Sequence, residues 1–316
     1  MKILITGGNG YVGRTLTRLL YRDHDVTVID NLRLGRLRFS EAEMSAFRFE
    51  KQDIRDFDGL SRVIASVEPE VIIHLAAIHY IPECDAKPDE AISINTLGTM
   101  NVARAAPVGS RLVFASTAAV YAAEVEPHDE TRSAVGPMDT YGLTKLHAEQ
   151  YVQQWAKARQ LDARIVRLFN VIGPGETNPH LLPAILAQTL KGQRVLRLGN
   201  CHPKRDYIHV ADVANGFSAV ALGERRSDGA GDVVNLGTGS SYSVYEVVAE
   251  LEKVIGEPLT IEADARRMRA SDRPFVTANN SRIRAAYGWA PRYQLADSMR
   301  DLWTNPDIPE ELLASS

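Results

Sequence analysis

The chain has 316 residues, 45% of them hydrophobic and 24% charged, with a formal net charge of −4. That is ordinary globular composition, sufficient for one large domain or two of moderate size around a packed core. The charge gives no electrostatic case for a nucleic-acid partner or an anionic membrane surface, and no run of about eighteen apolar residues offers a membrane span.

In chain order, Lys2–Thr6 (KILIT) reads as a short strand, aliphatic enough to be covered on both faces of a parallel sheet. It begins too early for a charged leader and apolar core to precede it, so a soluble, unprocessed chain is expected. Val12, Leu16, Leu19 and Leu20 then recur at helical spacing, and between strand and helix lie Gly7, Gly10 and Gly13. Gly7 can adopt positive φ, Gly10 lets the main chain approach a pyrophosphate, and Gly13 allows close helix–strand packing. The helix start then offers N–H groups to phosphates. A glycine-rich turn can also bind nothing, but the next strand, Asp25–Asp30 (DVTVID), ends in an acid about twenty residues on, where a carboxylate accepts from an adenosine ribose 2′-hydroxyl. A dinucleotide site is therefore expected.

The arginines of NLRLGRLRF read as a solvated loop. Further strands are expected near 46–50, 71–75, 110–115 and 163–168, with helices between most of them, which describes a doubly wound parallel α/β sheet of the Rossmann type up to about Asn170. After it, VIGPGETNPHLLP is rich in proline and glycine and opens a smaller α+β region of less regular elements. The expected division is 1–170 for the dinucleotide-binding domain and 171–316 for the substrate region, with segments near 206–237 returning to the first. A ligand should lie between them, outside the carboxyl ends of the strands. Cys84 and Cys201, far apart and without C-x-x-C spacing, suggest neither a disulfide framework nor a zinc site, and a reducing cytosol fits. No metal-ligand set is read from the sequence.

Tyr141 and Lys145 stand four apart at the start of a helical segment, which puts both on one face. An adjacent ammonium favours the phenolate and brings a tyrosine toward use as a general base. A surface tyrosine and lysine would give the same spacing. Leu112–Tyr121 (LVFASTAAVY) reads as a buried strand ending in Ser116 and Thr117, where a hydroxyl can relay a substrate proton or simply satisfy backbone groups.

With these residues the chain resembles the extended short-chain dehydrogenase/reductase family, in particular its sugar-nucleotide epimerases. The resemblance spans nearly the whole chain and rests on TGGNGYVG, the strand-end Asp30, QDIRD (52–56), HLAA (74–77), INTLGTMNV (94–102), STAAVY, YGLTK, RLFNVIGPG (167–175), RDYIHVADVA (205–214) and NLGTG (235–239). It implies a catalytic set of Thr117, Tyr141 and Lys145. It implies a cofactor groove lined by Gly7, Asn9, Gly10, Tyr11, Val12, Asp30, Asn31, Asp53, Ile54, Leu75, Ala76, Ala77, His79, Asn95, Ser116 and Phe169 together with Tyr141 and Lys145. By the same implication Asn170, His180, Leu181, Arg205, Arg269 and Val276 contact a nucleotide sugar, a UDP-hexose, with the two arginines on its diphosphate; guanidinium forks suit that task.

Asp30 repels a 2′-phosphate, so NAD is expected rather than NADP, although Arg33 lies close by. The related 4,6-dehydratases carry an Asp-Glu pair directly after the strand-end threonine; here those positions are Ala118 and Ala119, which move no proton. The resemblance thus implies hydride transfer from carbon 4 of the sugar and its return to the other face, which is 4-epimerisation, with a 4-keto-sugar reductase as the alternative. Departures from the pattern are Ala122 after VY, and His180 before L-x-P, a residue able either to reach a diphosphate or hydroxyl or to cap the following helix. Val276 stands where some epimerases carry a bulky tyrosine, leaving space for a larger sugar substituent. The resemblance also implies a homodimer through helices near 89–106 and 139–158.

Overall fold

The structure, a computed structural model, describes residues 1–176, 178–224, 230–267 and 273–308. The chain runs through β1 (Lys2–Thr6), α1 (Tyr11–Leu20), β2 (Asp25–Asp30), the short α2 (Glu41–Met44), β3 (Arg48–Lys51), α3 (Phe57–Val67) and β4 (Val71–His74). Then come α4 (Ile81–Ala86), α5 (Pro88–Ala91), a π-helical segment (Ile92–Gly98), α6 (Thr99–Ala105), β5 (Arg111–Thr117), α7 (Thr140–Arg159) and β6 (Asp162–Leu168). Beyond these lie β7 (Asn170–Ile172), α8 (Leu181–Leu190), β8 (Val195–Leu198), β9 (Lys204–Arg205), β10 (Tyr207–His209), α9 (Val210–Leu222) and β11 (Ala230–Leu236). The last elements are α10 (Val244–Ile255), β12 (Thr260–Ala263), β13 (Phe275–Val276), α11 (Ser281–Tyr287) and α12 (Leu295–Thr304).

Seven strands form one parallel sheet in the order β11-β6-β5-β4-β1-β2-β3. Alternate residues of each strand enter opposite layers, as the two-residue period of a strand requires. Ile3, Ile5, Val28 and Ile73 pack with Leu16 of α1 and Phe217 of α9, whereas Leu4, Ile29, Ile72 and Phe114 pack with Leu60 of α3, Val102 of α6 and Val152 of α7. Both faces are covered, which is why the strands read as continuous apolar runs rather than alternating ones. A third cluster, including Ile185, Leu196, Leu251 and Met299, holds α8, α10 and α12 together beyond the sheet.

Strand order reverses between β1 and β4. Connections leave these two strands toward opposite sides, and the crevice at their carboxyl ends is the expected ligand position for such a sheet. The helix expected over 89–106 is present but carries a π-helical turn in its middle, over Ile92–Gly98. There the Asn95 amide turns to the backbone of Ile78, accepting from its N–H at 2.8 Å and donating to its carbonyl at 2.9 Å. The seventh sheet strand, β11, comes from past residue 170 and pairs with β6, with Val233 opposite Ile165.

Candidate cofactor and substrate site

A cleft of ≈ 1060 Å³ lies along the carboxyl ends of β1, β2, β4, β5 and β6 and continues between them and the β7–α8 segment. At its floor the β1–α1 turn leaves no room for a side chain at Gly7 or Gly13. Gly7 has φ +71°, and a Cβ on Gly13 would come within 2.2 Å of the Gly7 carbonyl oxygen, so Gly13 is needed for packing against the turn itself rather than against the strand. In front of Gly10 the space is open except for that same carbonyl. Gly10 is the N-cap of α1 and brings no side chain to occupy the first N–H groups of the helix. This is a cradle of the size and polarity a pyrophosphate requires.

Asp30 ends β2 at the edge of the cradle. Its carboxylate accepts from the N–H of Asn9 at 3.1 Å and of Leu32 at 2.8 Å, and burial raises its pKa despite those bonds. Arg33, which also lines the cleft, is paired with Glu83 and Glu90, the latter at 3.2 Å, and these pairs compete with any 2′-phosphate for its guanidinium. Asn9 spends its amide on the loop, accepting from Arg38 N–H and donating to the Arg36 carbonyl. Asn31 donates to Asp53 at 2.9 Å, and Arg55, with that bond, holds the Asp53 carboxyl down at about 2. Val12, Ile54, Leu75, Ala76, Ala77 and Phe169 complete the lining. Tyr11 also lines it while donating to the Gly173 carbonyl at 2.9 Å, fastening the β7–α8 segment to α1. Asn95 does not line the cleft; it is fully buried and supports the wall from behind through Ile78.

The catalytic candidates converge at the end of β5. Asp139 caps α7 by accepting from Gly142 N–H at 2.7 Å, and one turn brings Tyr141 and Lys145 to the same face. The Thr117 hydroxyl, which accepts from the Ala119 N–H at 3.1 Å, is near enough to Tyr141 to favour its ionised form. The ammonium of Lys145 does not act on Tyr141 as the spacing suggested: Nζ lies over the Phe114 ring at 4.4 Å. Burial therefore raises the Tyr141 pKa, outweighing the Thr117 hydroxyl, and lowers that of Lys145 to about 7. Both groups stand largely desolvated and neutral-leaning, so their protonation responds strongly to any charge brought into the cleft. Ser116, by contrast, donates to Glu149 at 2.5 Å, and Glu149 forms a buried two-bond pair with Arg167.

Sequence reading missed Arg273. Its guanidinium donates to the carbonyls of Ala118 at 3.1 Å and Ala119 at 2.9 Å and lies 3.7 Å from Asp139, so it ties the β5 end to the start of α7. Arg205 lies in the substrate half of the cleft and donates to the Arg273 carbonyl at 2.7 Å, and its register partner across β9–β13 is Val276. Arg269 lies outside the described residues. Its neighbours Arg266 and Arg267 line the cleft, which gives this end several guanidinium groups. Asn170 and Leu181 also line it. His180 occupies the N-cap position of α8 but makes no side-chain cap; its Nδ1 lies 3.3 Å from Glu176, and His79 lies 4.0 Å from the same carboxylate. The capping alternative is thus not realised. Glu176 was not singled out, although its E-x-x-x-H spacing to His180 was visible in the sequence.

Comparison with known proteins agrees with this geometry. Residues 3–237 match the NAD dependent epimerase/dehydratase family. A UDP-glucose 4-epimerase of Corynebacterium glutamicum is 33% identical, over 96% of this chain and 95% of that one. A UDP-glucose-4-epimerase of Stenotrophomonas maltophila, solved with NAD and formylated UDP-arabinopyranose, superposes with a TM-score of 0.83 at 26% identity over 96% of this chain and 97% of that chain. MoeE5, solved with UDP-glucuronic acid and NAD, gives 0.84 at 26% identity over 98% of this chain and all (100%) of that one. The cradle, the Asp30 carboxylate and the Thr117–Tyr141–Lys145 set thus fit NAD, and the chain belongs to the NAD dependent epimerase/dehydratase family.

Proposed function

We propose that the protein interconverts the 4-epimers of a nucleotide-activated hexose, a UDP-hexose in the first instance. The observation that carries this reading is the composition of the β5 end: Thr117 and Tyr141 stand together there, Lys145 is one turn away, and the next two side chains are the methyls of Ala118 and Ala119. A dehydratase needs an acid and a base at those two positions; a 4-epimerase needs only a group that takes a hydroxyl proton and gives it back.

Tyr141 is that group. Its oxygen accepts the proton of the sugar 4-hydroxyl and Thr117 bridges by its own hydroxyl, while Lys145, neutral-leaning over the Phe114 ring in the ligand-free cleft, gains its charge when the anionic cofactor and substrate enter and then favours the phenolate. Bound NAD takes the hydride from carbon 4 and returns it, so the sugar passes through a 4-keto form with no net change in oxidation state. On return, Tyr141 re-protonates the new alcohol. Asp30 and Gly10 hold the dinucleotide at its ribose and pyrophosphate, while Arg205 and the neighbouring arginines anchor the nucleotide diphosphate so that the hexose can turn over without leaving.

A preference for NAD over NADP also fits the pairing of Arg33 with Glu83 and Glu90. Relatives solved with a formylated UDP-arabinopyranose and with UDP-glucuronic acid indicate that the sugar pocket of this fold varies. The identity of the hexose is tested by incubating the protein, without added cofactor, with UDP-, dTDP-, GDP- and CDP-hexoses and separating product isomers chromatographically. Appearance of a 4-epimer from a UDP-hexose supports the assignment; consumption of stoichiometric NADH or NADPH replaces it with a 4-keto-sugar reductase.

We also infer a homodimer. Ile92 (52% exposed) and Leu97 (43%) on the π-helical segment, with Leu143 (46%) and Tyr151 (38%) on α7, leave apolar side chains in solvent on two helices already packed against each other. A second copy presenting the same helices would cover them as a four-helix bundle. The two thiols, both buried and unpaired, fit a reducing cytoplasm.

A further inference from the structure

We propose that His79, Glu176 and His180 form a binding site for a divalent transition-metal ion, of the zinc class, in the substrate half of the cleft. One donor atom from each side chain can be chosen so that all three lie within 4.8 Å of one another. Such a His₂Glu set is the composition that borderline cations such as Zn²⁺ select, and three protein ligands with further positions open to a cavity is the usual form of a site that also takes an exogenous oxygen.

The geometry is close to what coordination needs. Metal–donor bonds of ~2.0–2.1 Å in a tetrahedral arrangement put neighbouring donors roughly 3.3 Å apart. His180 Nδ1 and Glu176 Oε2 are separated by 3.3 Å, and His79 Nε2 and Glu176 Oε1 by 4.0 Å, so closing the set requires a small rotation of His79. Two observations point beyond an ordinary polar cluster. The Asn178 amide N–H donates to His79 Nε2 at 3.1 Å, which places the ring proton on Nδ1 and leaves Nε2 the unprotonated nitrogen, so an arriving ion takes its lone pair by displacing this one amide. The Asn178 backbone N–H also donates to Glu176 Oε1 at 3.2 Å and orients it, as supporting groups do around metal-bound carboxylates.

His79, Glu176 and His180 all line the same cleft as Tyr141 and Lys145. An ion held there shares the cleft with the substrate, so an oxygen-rich ligand such as a sugar hydroxyl pair or carboxylate can replace water on it. The site does not depend on which reaction the cleft performs, since none of its three ligands takes part in the hydride or proton transfers.

The test uses full-length protein stripped with chelator and desalted. Zn²⁺ is titrated calorimetrically and Co²⁺ by visible absorption, on wild type, Glu176→Gln and His180→Ala, with NAD binding measured on each as a fold control. The expected result is one saturable Zn²⁺ site, a Co²⁺ spectrum of four- or five-coordinate nitrogen–oxygen ligation, and weakening by more than ~100-fold in either variant, beyond what loss of a mere supporting group causes. Absence of saturable uptake, or equal uptake by wild type and variants, overturns the proposal. If a variant loses NAD binding through misfolding, the wild-type Co²⁺ spectrum decides: low-coordinate bands support the site and an unchanged six-coordinate aqua spectrum refutes it.

Discussion

Tyr141→Phe deletes a single oxygen from a residue whose ring remains packed, so the fold and the cradle should survive the change. General acid–base assistance is typically worth ~10²–10⁴-fold, and turnover should fall by at least that much while NAD binding, read by cofactor fluorescence, stays near wild type. Turnover close to wild type would remove Tyr141 as the base. Asp30→Ser removes a carboxylate held in place by two backbone N–H groups. A hydrogen bond to a charged group is worth about 1.5–3 kcal/mol, so NAD affinity should drop ~10–100-fold while NADP affinity drops less, a shift measured by parallel titrations of the two dinucleotides. Lys145 carries a consequence for stability. Its folded pKa of about 7 lies below the unfolded value of 10.5, so between those pH values the unfolded chain holds a proton that the folded chain does not. Stability of the cofactor-free protein should therefore rise from pH 7 toward pH 10 on account of this residue, with a slope of up to about 1.4 kcal/mol per pH unit. Lys145→Met should lose that slope in urea denaturation; parallel curves for the two proteins would show that Lys145 is not held neutral.

At the scale of elements, α7 concentrates the chemistry. Asp139 starts it, Tyr141 and Lys145 occupy its first turns, and Glu149 one turn later is locked to Arg167 of β6. Removing one partner of a buried pair leaves the other charge uncompensated, and Arg167→Leu should cost about 3–5 kcal/mol in denaturant unfolding. Because Ser116 bonds the same carboxylate, that variant should also disturb the β5 end and lower turnover at unchanged NAD content. These residues differ in how visible they were. The β1–α1 turn, the strand-end Asp30 and the Tyr141–Lys145 pair are local patterns, each written within a few consecutive turns, and sequence spacing is enough to find them. Asn95, Arg273 and Glu176 act through partners that are distant in sequence or through a bend in the chain. Nothing within the 94–102 segment says that Asn95 faces Ile78 rather than the cofactor, and only the return of the chain past residue 270 brings Arg273 beneath Ala118. The Tyr141–Lys145 spacing was legible, whereas the sideways turn of the ammonium onto Phe114 depends on how β5 and α7 pack. The π-helical turn escaped for a similar reason: it coincides with the tertiary contact of Asn95, and no glycine or proline inside Ile92–Leu97 marks it locally.

At the scale of the molecule, the sheet supplies a rigid floor at the β1/β4 reversal, and the segment from β7 onward supplies a second wall tied to it by Tyr11 and Arg14, whose guanidinium donates to the Gly175 carbonyl at 2.7 Å. The apolar residues on the π-helical segment and α7 lie on the outer surface of this unit. Leu143→Glu should convert the proposed dimer to monomer in sedimentation analysis, because it places a charge in the covered face; an unaltered oligomeric state would move the interface elsewhere. The central claim is that one bound NAD carries hydride away from carbon 4 and back within a single cleft. It is tested most directly with a UDP-hexose deuterated at carbon 4, turned over in the presence of excess unlabelled NAD and analysed by mass spectrometry. The account predicts that the 4-epimer retains its deuterium and that no reduced nicotinamide accumulates; transfer of the label to the free nicotinamide pool, or its replacement by hydrogen in the product, would contradict it.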